Sequence, residues 1–208
     1  MNTMNTWEKL KRLNALADTG LLYGENAYDR ERYEEIKEIT LELMQECTAG
    51  NLPHVKELFA LPKDYPTAKV DIRALILSDD GEQVLLVQEL LDGRWSVPGG
   101  WADIGYSAIE NLVKECSEET GLDVRPLRLL AVYDKKMHAH PPQAFYVYKL
   151  IFHCQVTGGA LQKGFDVKDI GYFPLNDLPP LSTDRILPEQ IEQLAARARA
   201  GESETLVD

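Results

Sequence analysis

Three glutamates close together in the sequence have a spacing that suits a metal site. Glu115, Glu118 and Glu119 stand at i, i+3 and i+4, so on a helix their carboxylates project from one patch of the surface. Like charges at this spacing repel by about 0.2–0.5 kcal/mol per pair, and the helix dipole disfavours acids in the last turns. Oxygen ligands held together on a rigid element are what a hard divalent cation requires. The pattern alone fits either a solvated acidic face or a cation site.

The flanking residues predict the helix that would carry these glutamates. Ser107 is followed three residues later by Glu110, which is the spacing of a capping box, so we expect the helix to begin just after Ser107. Gly121 is suited to the left-handed conformation that ends a helix. Between these ends, apolar residues recur at helical spacing and predict the face that packs on a core. They are Ala108, Ile109, Leu112, Val113 and Cys116.

The stretch from Gly99 to Val124 resembles the signature of the Nudix hydrolases. In one-letter code that signature is G-x5-E-x7-R-E-U-x-E-E-x-G-U, where U is a bulky aliphatic residue. The match departs from it with Tyr106 in place of Glu, Lys114 in place of Arg and Cys116 in place of the aliphatic residue. In the family, the first Glu and the Arg mainly support the loop and the helix. The departures therefore bear on loop support more than on metal binding.

The resemblance implies roles for the residues that keep the pattern. Glu115, Glu118 and Glu119 would be the catalytic residues and would hold one or more Mg²⁺ or Mn²⁺ ions. The carbonyl of Gly99 would be a further metal ligand, and Gly100 would lie in the substrate site. Such an ion lowers the pKa of a bound water, which can then attack a diphosphate in line.

A further carboxylate from a late loop often serves as base or ligand in this family. Asp166 and Asp169 are the candidates here, where relatives more often have Glu. Their side chains are shorter and reach less far. The catalytic base is therefore left open among Glu119, Glu115 and these two aspartates.

Three other residues are candidates for substrate binding. Arg73 lies on a predicted strand, and a guanidinium can bind a phosphate bidentately; an exposed strand residue without such a role is the alternative. His138 and His140 lie in a proline-stiffened HAHPPQ loop, and loops often carry function. Two histidines at i and i+2 with no third ligand make a poor zinc site, so a substrate-facing or a structural role is expected.

Composition limits the class of protein. The chain has 208 residues and a formal net charge of −12, which argues against a surface built for general nucleic-acid or anionic-membrane binding. No apolar stretch is long enough to span a bilayer, and the N-terminal sequence lacks the apolar core of a signal peptide. Its three cysteines lack metal or disulfide spacing and are expected to be reduced. We expect a cytoplasmic protein.

The apolar pattern changes period between Pro62 and Pro66, which predicts a helical domain over 1–66 and a second domain over 67–208. We predict helices over Thr6–Ala17, from a cap at Asp29 to before Gly50, over Leu52–Leu61, after Ser107, and over Pro188–Ala200. Strands are predicted over 70–76, 83–90, 95–98, 124–135, 144–156 and 170–174. This order indicates an α+β fold with helices on a mixed sheet. The resemblance implies the Nudix α/β/α sandwich behind a small N-terminal helical domain.

Segments outside the signature resemble a Nudix subgroup that hydrolyses nucleoside diphosphates linked to another moiety X and includes CDP-choline pyrophosphatases. They are the helical N-terminal region, YPTAKVDIRALIL, KKMHAHPPQAFYVYKLIF and GYFPLNDLPPLSTDRI. The resemblance implies a small-molecule nucleotide substrate, with CDP-choline first and ADP-ribose next. The alternatives are 3′-to-5′ exonuclease activity on RNA and a non-catalytic nucleotide-sensing Nudix module. We expect the helical domain to form a homodimer.

Overall fold

The computed structural model describes residues 6–47, 68–141 and 147–208. The chain divides into two compact units, one of residues 1–66 with 103–105 and the other of residues 67–102 with 106–208. The predicted helix over Leu52–Leu61 and the predicted boundary between Pro62 and Pro66 lie outside the described residues. No helix in the described part of the chain is long and apolar enough to cross a membrane.

Within its described residues, the first unit has two helices, α1 (Thr6–Tyr23) and α2 (Ala27–Cys47). α1 continues beyond the predicted end at Ala17. α2 begins earlier than predicted because Asn26 acts as the cap, its side-chain oxygen accepting a hydrogen bond from the backbone N–H of Tyr28 at 2.9 Å. The prediction that Asp29 caps this helix was therefore wrong. Asp29 lies in the first turn and pairs with Arg32 at 2.7 Å.

The buried face of α2 includes polar residues that an apolar pattern excludes. Lys37 is buried with its ammonium 2.6 Å from Asp18 of α1. Thr40 is buried because its hydroxyl donates to the Ile36 carbonyl at 2.7 Å. Satisfied polar groups can enter an interface at little cost. Several aliphatic side chains of both helices are consequently exposed, among them Leu13, Leu16, Ile36, Ile39 and Leu43.

The second unit is built on two sheets. Its strands are β1 (Lys69–Ile76), β2 (Gln83–Glu89), β3 (Trp95–Ser96), β4 (Gly99–Trp101), β5 (Leu122–Asp134), β6 (Val147–Gly159), β7 (Val167–Pro174) and β8 (Leu206–Val207). The larger sheet has the order β4-β1-β6-β5-β8, and the smaller has the order β3-β2-β7. β1 runs parallel to β6 and antiparallel to β4, so the larger sheet is mixed, as predicted.

Helices cover both faces of the larger sheet. Ile72, Ala74 and Ile76 of β1 pack in one core cluster with Leu112 and Cys116 of helix α3 (Ala108–Thr120). The opposite side of β1 packs, through Leu75, in a second cluster that contains side chains of the smaller sheet and of helix α4 (Pro188–Ala200). The α+β sandwich with helices on a mixed sheet is thus confirmed.

Two of the three shortest strands, β4 and β8, were not predicted, whereas β3 was. β4 has 3 residues and β8 has 2, and strands this short have no alternating pattern of their own. Their conformation depends on partners distant in sequence: β4 pairs with β1, and β8 pairs with β5 through Ala131 and Val132. Sequence periodicity carries no information of this kind.

Candidate active site

Helix α3 has the predicted ends. The Ser107 hydroxyl accepts from the Glu110 backbone N–H at 3.3 Å, and the Glu110 carboxylate accepts from the Ser107 N–H at 2.9 Å. Gly121 has a φ of 70° and closes the last turn. Of the predicted packing face, Ile109 is 52% exposed, whereas Leu112 and Cys116 are fully buried. The turns of the helix after Ile109 therefore pack on the sheet in a fixed orientation.

Glu119 is the signature glutamate that lies in the interior. It is 5% exposed, and its carboxylate accepts a hydrogen bond from the Gly99 backbone N–H at 2.8 Å. Burial raises the pKa of its carboxyl to about 8, although the Arg73 charge and the Gly99 N–H lower it. The charges of Glu89 and Glu115 raise it further. A cation bound here would relieve this concentration of acidic groups.

Two glycines let the signature loop approach the sheet and the helix closely. Gly99 has a φ of 128°, and a Cβ there would lie 2.1 Å from the carbonyl oxygen of Ile72. At Gly100, a Cβ would lie 3.1 Å from Glu115 Oε2, so the Glu115 carboxylate is packed directly against this glycine. Gly99 and Gly100 thus lie beside Glu119 and Glu115, while the metal-binding role of the Gly99 carbonyl and the substrate role of Gly100 stay predictions.

Glu118 points to a different neighbour. It is exposed, and its carboxylate lies 2.9 Å from the Lys114 ammonium one turn earlier. Lys114 also lies 3.7 Å from Glu115 and 5.9 Å from the ring centre of Tyr106. Two of the three residues that depart from the signature, Tyr106 and Lys114, therefore contact each other. A cation–π contact here joins the loop to the helix.

The donor atoms fit a hard divalent cation, although they are not gathered around one point. Among residues 6–47, 68–141 and 147–208, no three His, Cys, Asp or Glu side chains form a group that could hold a metal ion. The Glu119 carboxylate points to the interior and the Glu118 carboxylate to Lys114. Glu115 lies one turn earlier on the helix, against Gly100. All three offer carboxylate oxygens, the ligands that Mg²⁺ and Mn²⁺ prefer, and Mg²⁺ commonly takes only one or two carboxylates beside waters and phosphates.

The loop before β7 caps the end of α3. Gln162 and Gly164 donate their backbone N–H groups to the carbonyls of Thr120 and Glu119, both at 2.9 Å. A Cβ at Gly164 would lie 2.0 Å from the Glu118 carbonyl and 2.9 Å from Asp166 Oδ1. The structure thus brings Asp166 to the carboxyl end of α3, where its buried Oδ1 has no hydrogen-bond partner among the described residues.

Asp169 lies elsewhere. It is exposed on β7 opposite Gln88 of β2, and its Oδ1 accepts from the N–H of Ile170 at 2.9 Å. Of the two late-loop candidates, only Asp166 is shown beside the signature helix.

Arg73 is 6% exposed and its donors are largely used by the protein. Its Nε donates to Asp71 at 2.9 Å and its Nη1 to the carbonyl of Val97 at 3.1 Å. Val97 is two residues before Gly99, so Arg73 supports the turn that presents Gly99 to Glu119. Its contact with a substrate phosphate stays a prediction.

A buried ion pair lies beside Arg73 that sequence analysis missed. Asp71 of β1 pairs with Lys149 of β6, which is directly opposite in the register and 1% exposed. Burial lowers the pKa of Lys149 to about 8, although Asp71 raises it. Asp71 and Arg73 alternate with apolar residues on β1, which predicts a solvated face. Because both faces of this sheet are covered, that alternation marks instead an internal polar strip.

Glu89 and Arg185 were also missed. Glu89, the last residue of β2, has its Oε1 2.8 Å from Arg185 Nε and 3.7 Å from Arg73 Nη1. Burial raises the pKa of Glu89 despite these two guanidinium groups. Arg185 also donates to the hydroxyl of Ser182 at 2.9 Å. No sequence signal connects residues this far apart.

The two loop histidines are held in different ways. His138 Nε2 lies 2.8 Å from Asp208, and its ring meets Tyr133 edge to face at 4.6 Å. His140 Nδ1 lies 2.6 Å from the Thr183 carbonyl, so this nitrogen carries the proton in the neutral ring. Burial lowers the pKa of His140 to about 4. Its Nε2 is buried without a hydrogen-bond partner in the described part of the chain.

Comparison with known families identifies both parts of the chain. The model described as "NUDIX domain" matches residues 68–194. The model described as "UDP-X-like, N-terminal oligomerisation domain" matches residues 5–59.

Individual relatives agree with these matches. The chain is 39% identical over 201 residues to YjhB of Bacillus subtilis, provisionally named as an ADP-ribose pyrophosphatase, covering 97% of this chain and 96% of that protein. The crystal structure of a UDP-X diphosphatase is 35% identical with a TM-score of 0.65, covering 96% of both chains. The crystal structure of an ADP-ribose pyrophosphatase from Streptococcus suis is 40% identical with a TM-score of 0.61, covering 68% of this chain and all of that one. The chain belongs to the Nudix family and is a pyrophosphohydrolase of it.

Proposed function

We propose that the protein hydrolyses the pyrophosphate bond of a nucleoside diphosphate linked to a second moiety X, giving a nucleoside monophosphate and X-phosphate, with Mg²⁺ or Mn²⁺ as cofactor. The observation that carries the proposal is the juxtaposition at Gly99. The buried Glu119 carboxylate accepts its N–H, and Arg73 supports the turn before it. Acidic ligands for a cation and basic groups for a diphosphate are thus close together.

The names of the relatives guide the choice of X. YjhB and the Streptococcus suis structure are named for ADP-ribose, and the UDP-X diphosphatase for UDP-linked compounds. We therefore propose ADP-ribose and UDP-linked sugars as the first substrates to test. CDP-choline, which the sequence resemblance favours, stays a third candidate.

The residues of this chain would divide the work as follows. Glu115, Glu118 and Glu119 would hold the ion with the Gly99 carbonyl, and the ion would offset the diphosphate charge and lower the pKa of the attacking water. Glu118 is exposed and its partner Lys114 is on the same helix, so it can exchange an ammonium for a metal without unfolding α3. The buried Glu119 is already fixed by the Gly99 N–H.

The base that takes the proton from water is proposed among Glu115, Glu119 and Asp166. The hydrogen bonds from its loop to the end of α3 support Asp166 in this role. Its unpartnered Oδ1 can accept a proton. If an Asp166→Asn variant keeps full activity, Asp166 is not the base, and Glu115 and Glu119 are the remaining candidates.

Homodimer formation is proposed for the helical unit. The matched family description names oligomerisation, and the exposed aliphatic side chains of α1 and α2 would be buried by a second copy. Sedimentation at micromolar concentration should give a dimer mass. A monomer throughout that range would contradict this proposal.

Turnover tests the proposed function directly. The purified protein would be incubated with Mg²⁺ or Mn²⁺ and with ADP-ribose, UDP-glucose, CDP-choline or a short RNA. We expect metal-dependent release of a nucleoside monophosphate, lost in Glu118→Gln and kept in Glu192→Gln, an exposed glutamate of α4. Degradation of the RNA alone would favour the exonuclease alternative. Binding of nucleotides without turnover under either metal would favour the sensing alternative.

A further inference from the structure

Lys135 is a buried cation without a close partner. It begins the short 3₁₀ turn Lys135–Met137 that follows β5, and it is 7% exposed. Its ammonium makes no hydrogen bond within the described part of the chain. The nearest carboxylate oxygen in an ion pair with it is Asp184 Oδ1, at 3.9 Å. A mostly buried ammonium without such bonds is costly, so a folded chain that keeps one usually has a use for it.

The neighbouring cations are satisfied by the protein, in contrast to Lys135. Lys149 pairs with Asp71, and Arg73 donates to both Asp71 and the Val97 carbonyl. Arg185 pairs with Glu89 at 2.8 Å. We call Arg73, Lys135, Lys149 and Arg185 the cationic cluster. Within it, Lys135 is the member whose side chain makes no hydrogen bond to the described residues.

The cluster reaches from Lys135 to the signature glutamates. Burial lowers the pKa of Lys135, Asp184 and Asp71 raise it, and the charges of Arg185 and Arg73 lower it. The charge of Arg73 also lowers the pKa of Glu119. Contacts make the same connection: Asp184, 3.9 Å from the Lys135 ammonium, precedes Arg185, and Arg185 and Arg73 lie 2.8 and 3.7 Å from the same Glu89 oxygen. Arg73 in turn donates to the carbonyl of Val97, two residues before the Gly99 whose N–H donates to Glu119. A diphosphate is an extended anion that can use cations on one side of its hydrolysed bond and a metal site on the other.

We propose that Lys135 binds a phosphate oxygen of the diphosphate substrate, as the substrate-contacting residue of the cationic cluster. This inference rests on the proposed function. The ammonium, as a compact charge with three donors, would find in the phosphate the hydrogen-bond acceptors that the protein does not provide.

The chain supplies a matched control at the next position. Lys136 has the same side chain in the same turn, but its side chain is 58% exposed and its ammonium lies 3.1 Å from Asp134. Replacing it removes the same charge from the same segment. A general electrostatic effect of lysine on an anionic ligand would therefore appear in both variants, whereas a direct contact would appear only at Lys135.

The test compares Lys135→Met, Lys135→Arg and Lys136→Met in the full-length protein. Calorimetric binding of ADP-ribose and of inorganic pyrophosphate is measured with EDTA, where no turnover occurs, and KM and kcat are measured with Mg²⁺. We expect Lys135→Met to weaken binding and raise KM at least about tenfold, with a smaller effect on kcat. Lys136→Met should stay within about twofold of the wild type, and Lys135→Arg within about fivefold.

Thermal unfolding separates a ligand-binding lysine from a structural one. Because a mostly buried ammonium with one distant carboxylate and no hydrogen bond opposes folding, Lys135→Met should have an unchanged or higher Tm without ligand. Weaker binding in both Lys135 variants together with a lower Tm would show a structural lysine and overturn the inference. Unchanged binding in Lys135→Met would also overturn it, as would a wild type that binds neither ADP-ribose nor pyrophosphate. A wild type that binds but never hydrolyses would contradict the proposed function, and the binding data would still decide the role of Lys135.

Discussion

The acidic and the basic side of the candidate site are built in different ways. The acidic side is a single helix, on which Glu115, Glu118 and Glu119 occupy neighbouring positions. The basic side, the cationic cluster, is collected from β1, β6, the turn after β5 and the loop before α4. Local spacing therefore determines the first, while strand order and register determine the second.

This difference extends to the energetics. The acidic side contains an uncompensated group, since burial raises the pKa of Glu119 and no cation among the described residues forms an ion pair with it. On the basic side, most cations are matched by carboxylates, as Lys149 is by Asp71. Substitutions on the acidic side should thus remove activity at no cost in stability. Substitutions of the paired basic residues should lower stability first.

Glu119→Gln should give the largest effect on activity. Losing one carboxylate that stabilises charge in the transition state should lower kcat/KM on the order of 10³-fold. The folded carboxyl keeps its proton up to a pKa of about 8, against 4.5 as the ordinary value, so wild-type stability without metal falls as the pH rises between these values. The variant has no such proton to lose. Its free energy of unfolding at pH 8 in EDTA, measured by urea, should equal or exceed that of the wild type.

Glu192→Gln on α4 is the control and should match the wild type in both measurements. A destabilised Glu119→Gln variant would show that the carboxylate holds the loop through the Gly99 N–H. That result would mean that substitutions on the acidic side also lower stability, as those of the paired basic residues are expected to do.

Lys149→Met tests the basic side. The substitution leaves Asp71 buried with Arg73 as its remaining partner, which should cost about 3 kcal/mol of unfolding free energy. For a chain of this size that corresponds to a fall in Tm of roughly 6–12 °C. Lys168→Met, at an exposed position of β7, should stay within about 0.5 kcal/mol. A cost below about 1 kcal/mol at Lys149 would mean that the ion pair contributes little and that the two sides do not differ.

The same contrast explains how much of the site could be predicted from the sequence. The capping box at Ser107 and the left-handed Gly121 depend on residues within one helix, and both are confirmed. The proximity of Gly99 to Glu119 followed from the family signature, although the chain between them gives no pattern for it. These features were predictable because each one is encoded by a short stretch.

The basic side could not be predicted because its contacts join distant residues. Lys149 opposes Asp71 only because β1 and β6 are parallel neighbours in this register. Glu89 meets Arg185 across nearly half of the chain. The alternation of polar and apolar residues on β1 also suggests that one face of this strand is solvated. That face is buried because the second sheet and α4 cover it, and this cover cannot be inferred from β1 itself.

His140 offers a test by pH. Its pKa is lowered to about 4 by burial, against an ordinary value of 6.5, so between these values the unfolded chain binds the extra proton. Stability therefore falls as the pH is lowered through that window, by on the order of 2 kcal/mol between pH 7 and pH 5 from this residue. His140→Asn keeps a donor near the Thr183 carbonyl and should lose that part of the pH dependence. Urea unfolding of both proteins at the two pH values measures the difference. An identical pH dependence would mean that His140 is solvated in the folded chain.

Ser107→Ala should have the smallest effect and tests how the acidic side is oriented. Loss of the cap should cost about 1 kcal/mol, or roughly 2–4 °C in Tm, and Ser107→Asp, which can accept the same hydrogen bond, should recover it. We expect kcat/KM to be unchanged in both variants. The glutamates lie in the later turns of α3, which are fixed by the buried Cys116 and by the hydrogen bonds from the loop at Gln162 and Gly164. If activity falls with the cap, the position of the carboxylates depends on the start of the helix, and the packing at its end is not sufficient to hold them.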